Sequence, residues 1–141
     1  MLTYALGIIE KNSKILFLLR QNTKFFNGHY GLIGGRVEDN ESITAALIRE
    51  IYEEVGITIP KDHMLFAHCL SFKNEQNESI LALIFKITRW HGEIVNKEPD
   101  KCAKLAWFSP NELPQNIIPR HRHIIEMIQQ NALYSESGWN K

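Results

Sequence analysis

Glu50, Glu53 and Glu54 stand at i, i+3 and i+4, the spacing that stacks side chains on one side of a helix. At 100° per residue they fall on an arc of about 100°, with Ala46 inside it one turn earlier, where a small side chain would leave room for a ligand. Ile43, Leu47, Ile48, Ile51 and Val55 occupy an adjoining arc of about 140° and form the face to be buried. Three like charges so close repel, by about 0.2–0.5 kcal/mol per pair in an isolated helix. A solvated acidic face usually interleaves Lys or Arg at i+4, but the only basic residue between Ser42 and Val55 is Arg49. Carboxylates clustered next to the Gly34-Gly35 break suit a hard divalent cation. Mg²⁺ takes oxygen ligands, keeps several waters and is commonly held by carboxylates together with substrate phosphates.

The fuller pattern is Gly35, five residues, Glu41, seven residues, then Arg49-Glu50-Ile51-Tyr52-Glu53-Glu54-Val55-Gly56-Ile57. It resembles a complete Nudix box, the signature of the Nudix (MutT-like) hydrolases, across residues 35–57. With each fixed residue at about 5–7% and each aliphatic site at about a quarter, a chance match at one start point is roughly 10⁻¹⁰. The approach Gly31-Leu32-Ile33-Gly34-Gly35 with Glu38 is similar to the family's entry into its box. A looser resemblance, carried by Asn96–Cys102, Trp107 and Glu112-Leu113-Pro114, is to the branch that hydrolyses nucleoside triphosphates.

The resemblance implies roles residue by residue. Glu53 and Glu54 match the paired metal-coordinating glutamates, and Glu50 a third that binds metal or positions water. The Gly34 carbonyl matches a backbone ligand. Glu41 and Arg49 match an ion pair bracing the loop against the helix, with Gly35 and Glu38 supporting the same site. The implied cofactor is Mg²⁺, with Mn²⁺ able to substitute. The implied reaction is attack of water on phosphorus, splitting a nucleoside triphosphate into monophosphate and pyrophosphate. Glu50 and Glu98 are the alternative bases, and Glu53 belongs to the same catalytic group. Other nucleotide diphosphates (ADP-ribose, a dinucleotide or a nucleotide sugar) are the second substrate reading, and a nucleotide-binding module without hydrolysis is the third. Relatives often dimerise, so a homodimer is an expectation, although no apolar stripe is diagnostic.

Arg20 ends an apolar strand near the expected cleft and is the candidate phosphate clamp. Phe25, Phe26, His29 and Tyr30 are the candidates for stacking on a base, although aromatics more often pack. Trp107 reads as core and Trp90 as cover for a sheet edge. Arg120-His121-Arg122-His123 reads as a surface basic cluster, since i, i+2 spacing puts the two histidines on different helix faces. Cys69 and Cys102 read as small buried residues.

The elements that must position these groups follow from pattern and punctuation. Leu2–Glu10 and Ile15–Arg20 are predicted strands joined by a turn at Lys11–Lys14. Tyr30–Ile33 is a short strand running into Gly34-Gly35. Ser42 caps a helix that continues to Val55 and stops at Gly56. Met64–Phe72 and Ile80–Trp90 are predicted strands, with Leu81, Leu83, Phe85 and Ile87 as the alternating set. Leu105–Phe108 is one more strand, Pro110–Pro119 a loop, His121–Asn131 a closing helix and Leu133–Lys141 a peripheral tail that Tyr134 and Trp139 could dock. The order β-β-β-α-β-β-β-α implies one α/β domain over residues 1–141, a mixed β-sheet with a helix on each face. This is similar to the Nudix α/β/α sandwich.

Composition narrows the classes. The 141 residues are 44% hydrophobic and 23% charged, ordinary for a globular chain. Lys+Arg and Asp+Glu are both 16, which argues against a nonspecific nucleic-acid polymer as partner and leaves a small phosphorylated molecule. Two cysteines are too few for a disulfide scaffold, Met1–Glu10 lacks the pattern of a signal peptide, and no run approaches the ~20 apolar residues of a membrane span. The expectation is a cytoplasmic protein that does not engage membranes.

Overall fold

The computed structural model describes residues 1–139. Asn140 and Lys141, the end of the segment expected to be a tail, lie outside the described residues.

β1 (Leu2–Lys11) is apolar at consecutive positions because both its faces are covered. Ala5 and Ile9 pack in one core with Leu47, Ile51 and Val55 of α1 (Ile43–Val55). Leu6 and Ile8 point the other way, into a core with Ile124 and Ile125 of α2 (Pro119–Gln129). Period-2 alternation thus sorts one strand between two helices. The turn into β2 (Lys14–Arg20) puts Asn12 and Ser13 at φ 53° and 62°, the left-handed pair that suits a two-residue hairpin.

The predicted strand Tyr30–Ile33 is divided at Leu32. β3 (Tyr30–Gly31) pairs with β2, whereas β4 (Ile33–Arg36) pairs antiparallel with β1. β6 (Ser79–Ile87) lies parallel to β1 on its other side, followed by antiparallel β5 (Met64–Lys73). β7 (Cys102–Phe108) pairs with β2. The result is the expected mixed sheet with a helix on each face.

Three expectations are corrected. The segment from Leu133 to Trp139 is not simply peripheral: Tyr134–Ser137 forms β8, an unexpected strand parallel to β5, while Trp139 docks as expected, its Nε1 donating to the Ser71 carbonyl at 3.0 Å. On β6 the buried residues are Ile80, Ala82, Ile84 and Ile87, so of the expected alternating set only Ile87 is buried, while Leu81, Leu83 and Phe85 are half-buried. Both sets are apolar, so alternation alone could not choose the face, and α1 covers β4 and β1 rather than β6. Ala46 is fully buried instead of leaving space for a ligand, because its arc of α1 faces β4.

α1 follows its sequence signals closely. The Ser42 hydroxyl accepts from the Ala45 amide at 3.2 Å, a cap worth about 1 kcal/mol, and Gly56 ends the helix at φ 78°. Leu47, Ile51 and Val55 are fully buried, each contributing roughly 1.5–3 kcal/mol. That burial fixes the rotation of the helix and so the direction of its glutamates. Among the described residues no helix is long and apolar enough to cross a membrane.

Candidate active site

β4 runs close along the glutamate arc of α1. A Cβ on Gly35 would stand 2.5 Å from the Glu50 carboxyl carbon. Gly34 has φ 144°, and a Cβ there would collide with the Ala5 carbonyl. The Gly34 amide donates to Glu54 Oε1 at 2.9 Å, locking the glycine break to the helix.

Arg49 organises the exposed side of the arc. It meets Glu41 through two hydrogen bonds, Nε to Oε2 at 3.0 Å and Nη2 to Oε1 at 2.6 Å. Its Nη1 reaches Glu50 at 3.1 Å and Glu53 at 3.2 Å, and Nη2 the Arg36 carbonyl at 3.3 Å. The Arg49 hydrogen bonds hold the Glu41 carboxyl down at about 2. Glu38 acts through its backbone, its amide donating to Glu41 Oε1 at 2.9 Å. Arg49, Glu41 and Glu38 thus form one brace between loop and helix.

Glu50, Glu53, Glu54 and Glu98 line a cavity of about 500 Å³, with Arg20, Lys24 and Lys101 on its wall. Glu98 comes from a turn in which the Asn96 side chain accepts from the Glu98 amide at 3.1 Å and donates to the Cys102 carbonyl at 2.8 Å. Burial raises Glu54 well above the usual carboxylate range, and repulsion from Glu50 adds to this. Burial also raises Glu50, partly offset by Arg49. Among the described residues no three acidic, imidazole or thiol groups stand together as a finished metal cluster. Arg49 Nη1 bridges Glu50 and Glu53, and the Gly34 amide engages Glu54. The donor set nevertheless fits a hard cation: every donor is oxygen, and two carboxyls carry a desolvation cost that a divalent ion would relieve.

Arg20 sits at a bulge ending β2, and its Nε donates to the Phe25 carbonyl at 3.0 Å. Arg20 and Lys24 line both the acidic cavity and a larger one, about 560 Å³, between the sheet and α2. The larger cavity has apolar walls that include Leu6, Leu32, Ile80 and Ile124, with Phe25 and Phe26 also lining it. Of the four candidate stacking residues only those two reach it. Tyr30 is buried edge-on against Phe108 at 4.9 Å, and His29 lies against Phe26.

The basic cluster at 120–123 is not simply surface. Arg120 pairs with Glu75 and lies over the Phe72 ring, and Arg122 donates to the Pro114 carbonyl. His123 Nε2 meets Ser135 Oγ at 2.9 Å, and His121 Nδ1 accepts from the Leu32 amide at 2.9 Å. Sequence reasoning missed Lys24, Lys101 and His121 at the cavities. Nothing in their local pattern separates them from surface charges, although Lys101 lies within the 96–102 segment already singled out.

A cleft with clustered carboxylates at one end, an apolar chamber at the other and cations where they meet defines a protein built for a phosphorylated small molecule. Comparison with known proteins makes the class specific. A family model described as a NUDIX domain matches residues 1–128. The chain is 36% identical over 130 residues to an 8-oxo-dGTP diphosphatase of Buchnera aphidicola, covering 92% of this chain and 94% of that one. It is 36% identical over 109 residues to an ADP-ribose pyrophosphatase of Methanocaldococcus jannaschii, covering 77% of this chain and 62% of that protein's length. The fold superposes on the crystal structure of a MutT NUDIX hydrolase from Burkholderia pseudomallei with a TM-score of 0.80 at 27% identity, covering 88% of this chain and 95% of that one. The chain belongs to the Nudix hydrolase family, as a MutT-like member.

Proposed function

We propose that this protein hydrolyses a diphosphate linkage of a nucleotide, with a nucleoside triphosphate as substrate and monophosphate and pyrophosphate as products. The observation that carries this reading is that Arg20 and Lys24 line both cavities. A triphosphate chain beside the carboxylates and a base in the apolar chamber would be bridged by those two cations.

In this reading Glu50, Glu53, Glu54 and the Gly34 carbonyl hold Mg²⁺, for which Mn²⁺ can substitute. The ion supplies neutralisation of phosphate oxygens and a water of lowered pKa. Arg20, Lys24 and Lys101 draw the remaining phosphate charge into the cavity. Glu41, Arg49, Glu38 and Gly35 keep the carboxylates in position. Two carboxylates compete to take the proton from the attacking water. Glu50 shares the ion-binding arc, but Arg49 already bonds it. The Glu98 carboxylate accepts no hydrogen bond from another side chain among the described residues, which favours it when substrate is bound. The reading treats residues 1–141 as one domain. It assigns the protein to the cytoplasm, consistent with two unpaired cysteines. A homodimer would be tested by measuring solution mass.

The test is a substrate panel with Mg²⁺, following pyrophosphate and phosphate release. Pyrophosphate from a triphosphate is the expected result. The name of the M. jannaschii relative favours ADP-ribose as the second substrate. ADP-ribose cleavage without any triphosphate turnover would replace the first reading with that one.

A further inference from the structure

Resting on the proposed nucleotide reading, we infer that His121 is a specificity-determining residue, a fixed hydrogen-bond donor that selects bases carrying a carbonyl oxygen over their amino counterparts.

The imidazole is held in one orientation and one tautomer. Its Nδ1 accepts from the Leu32 backbone amide at 2.9 Å, so Nδ1 carries no proton and Nε2–H is the donor. The ring lies against Gly31, where an added Cβ would come within 3.4 Å of Nδ1 and 3.5 Å of Cε1. A bulkier residue at 31 would crowd the ring away from the Leu32 amide. Burial, with Arg20 and Arg120 adding repulsion, pushes the ring's pKa down to about 3, so the neutral form persists across the physiological range. Tyr4, Glu75 and Glu78 also line the same cavity. Glu75 is already paired with Arg120.

His121 lines the apolar chamber, and its Nε2 forms no hydrogen bond among the described residues. Nor is that nitrogen sealed from solvent, since the one sealed, unpartnered side-chain nitrogen or oxygen among those residues is His63 Nδ1. Nε2–H is therefore a donor still to be satisfied by whatever fills the chamber. An Asn or Gln amide could rotate and offer either a donor or an acceptor. His121 cannot, because its other nitrogen is committed to Leu32. A carbonyl oxygen facing it completes a hydrogen bond, whereas an amino group would set donor against donor and leave both desolvated without a partner. The chamber thus favours 6-oxopurines and 4-oxopyrimidines over their 6-amino and 4-amino analogues.

The test compares kcat/KM for ITP against ATP and for UTP against CTP, in wild type and His121→Ala. The wild type should prefer the oxo member of at least one pair by about tenfold or more. His121→Ala should bring that ratio to near unity, mainly through KM for the oxo substrate. An unchanged ratio in a folded, active variant overturns the inference, as does a wild type that favours the amino member or neither. If no triphosphate is turned over at all, the catalytic reading fails separately. Calorimetric binding of IMP against AMP then decides His121 by the same ratio. Should His121→Ala not fold, ¹⁵N imidazole shifts of the wild-type protein replace it. A protonated Nε2 that does not titrate between pH 5 and 8 and shifts with IMP but not AMP is expected. A Nδ1–H tautomer, or a Nε2 indifferent to both nucleotides, overturns the inference.

Discussion

At the α1 end of the cleft, burial works against charge that must stay: Glu50 and Glu54 are both pushed upward. At the α2 end the same withdrawal from water strips charge from His121. One end becomes a place that a divalent ion would stabilise, the other a largely apolar-walled chamber in which a neutral His121 is fixed in one orientation. The same desolvation therefore yields an electrostatic site and a shape-and-hydrogen-bond site in one small protein, and which results depends on whether the buried group is an acid or a base.

The comparison is broken most severely at the acidic end. Glu53→Gln keeps the shape and removes a charge, so turnover should fall by about a hundredfold or more while the far-ultraviolet dichroism stays native. Glu54→Gln should fall similarly but melt higher than wild type in chelator, since a neutral amide oxygen still accepts from Gly34 without the cost of a buried carboxylate. Melting lower would show that burial does not oppose the charge. Gly35→Ala drives a methyl into the Glu50 carboxyl, the movable end of that side chain, so activity should fall while stability, read by denaturant titration, changes by less than about 1 kcal/mol.

Smaller effects separate the brace from the ligands. Glu41→Gln should cut kcat by about tenfold with little change in KM, because it misplaces Arg49 rather than removing a ligand; a hundredfold loss would place Glu41 among the ligands. Acid titration of stability should show two signs of the contrast. Glu41, at about 2 when folded against 4.5 free, adds stability that is complete above pH 4.5 and lost toward pH 2. His121, at about 3 against 6.5, adds stability that is complete above pH 6.5 and lost as pH falls toward 3. A His121 variant should flatten the slope of stability between pH 6.5 and 3 and leave the lower window intact. The smallest effect is on rate: activity should rise on the alkaline side as the raised carboxyls and the attacking water lose protons. A profile falling from pH 6 to 9 would count against it.

The two ends also differ in how far the chain alone reveals them. The acidic end was legible because one short helix carries most of it, with Gly34-Gly35 just upstream and periodicity fixing which way the glutamates face. The chamber was not, because Leu6, Leu32, Ile80 and His121 meet only through the sheet. His121 read as surface because neither its spacing nor its neighbours encode the Leu32 amide it meets. β8 escaped notice because Tyr-Ser-Glu-Ser has no apolar alternation. It is held by pairing to β5 and by His68 and His123 converging on Ser135 Oγ at 2.7 and 2.9 Å. The break at Leu32 was missed because four successive residues looked like one strand while their partners belong to two.

That break has a consequence for redesign. The Leu32 amide holds the donor of one chamber and the Gly34 amide holds a carboxylate of the other, two residues and about 7 Å apart along an extended chain. Under the proposed reading the segment would set the distance between the base and the phosphates. Inserting one residue there would put both ends out of step at once. New substrates are better sought by recoding the first turn of α2 and the 21–28 loop, where the chamber can be reshaped while the spacing between the Leu32 and Gly34 amides stays fixed.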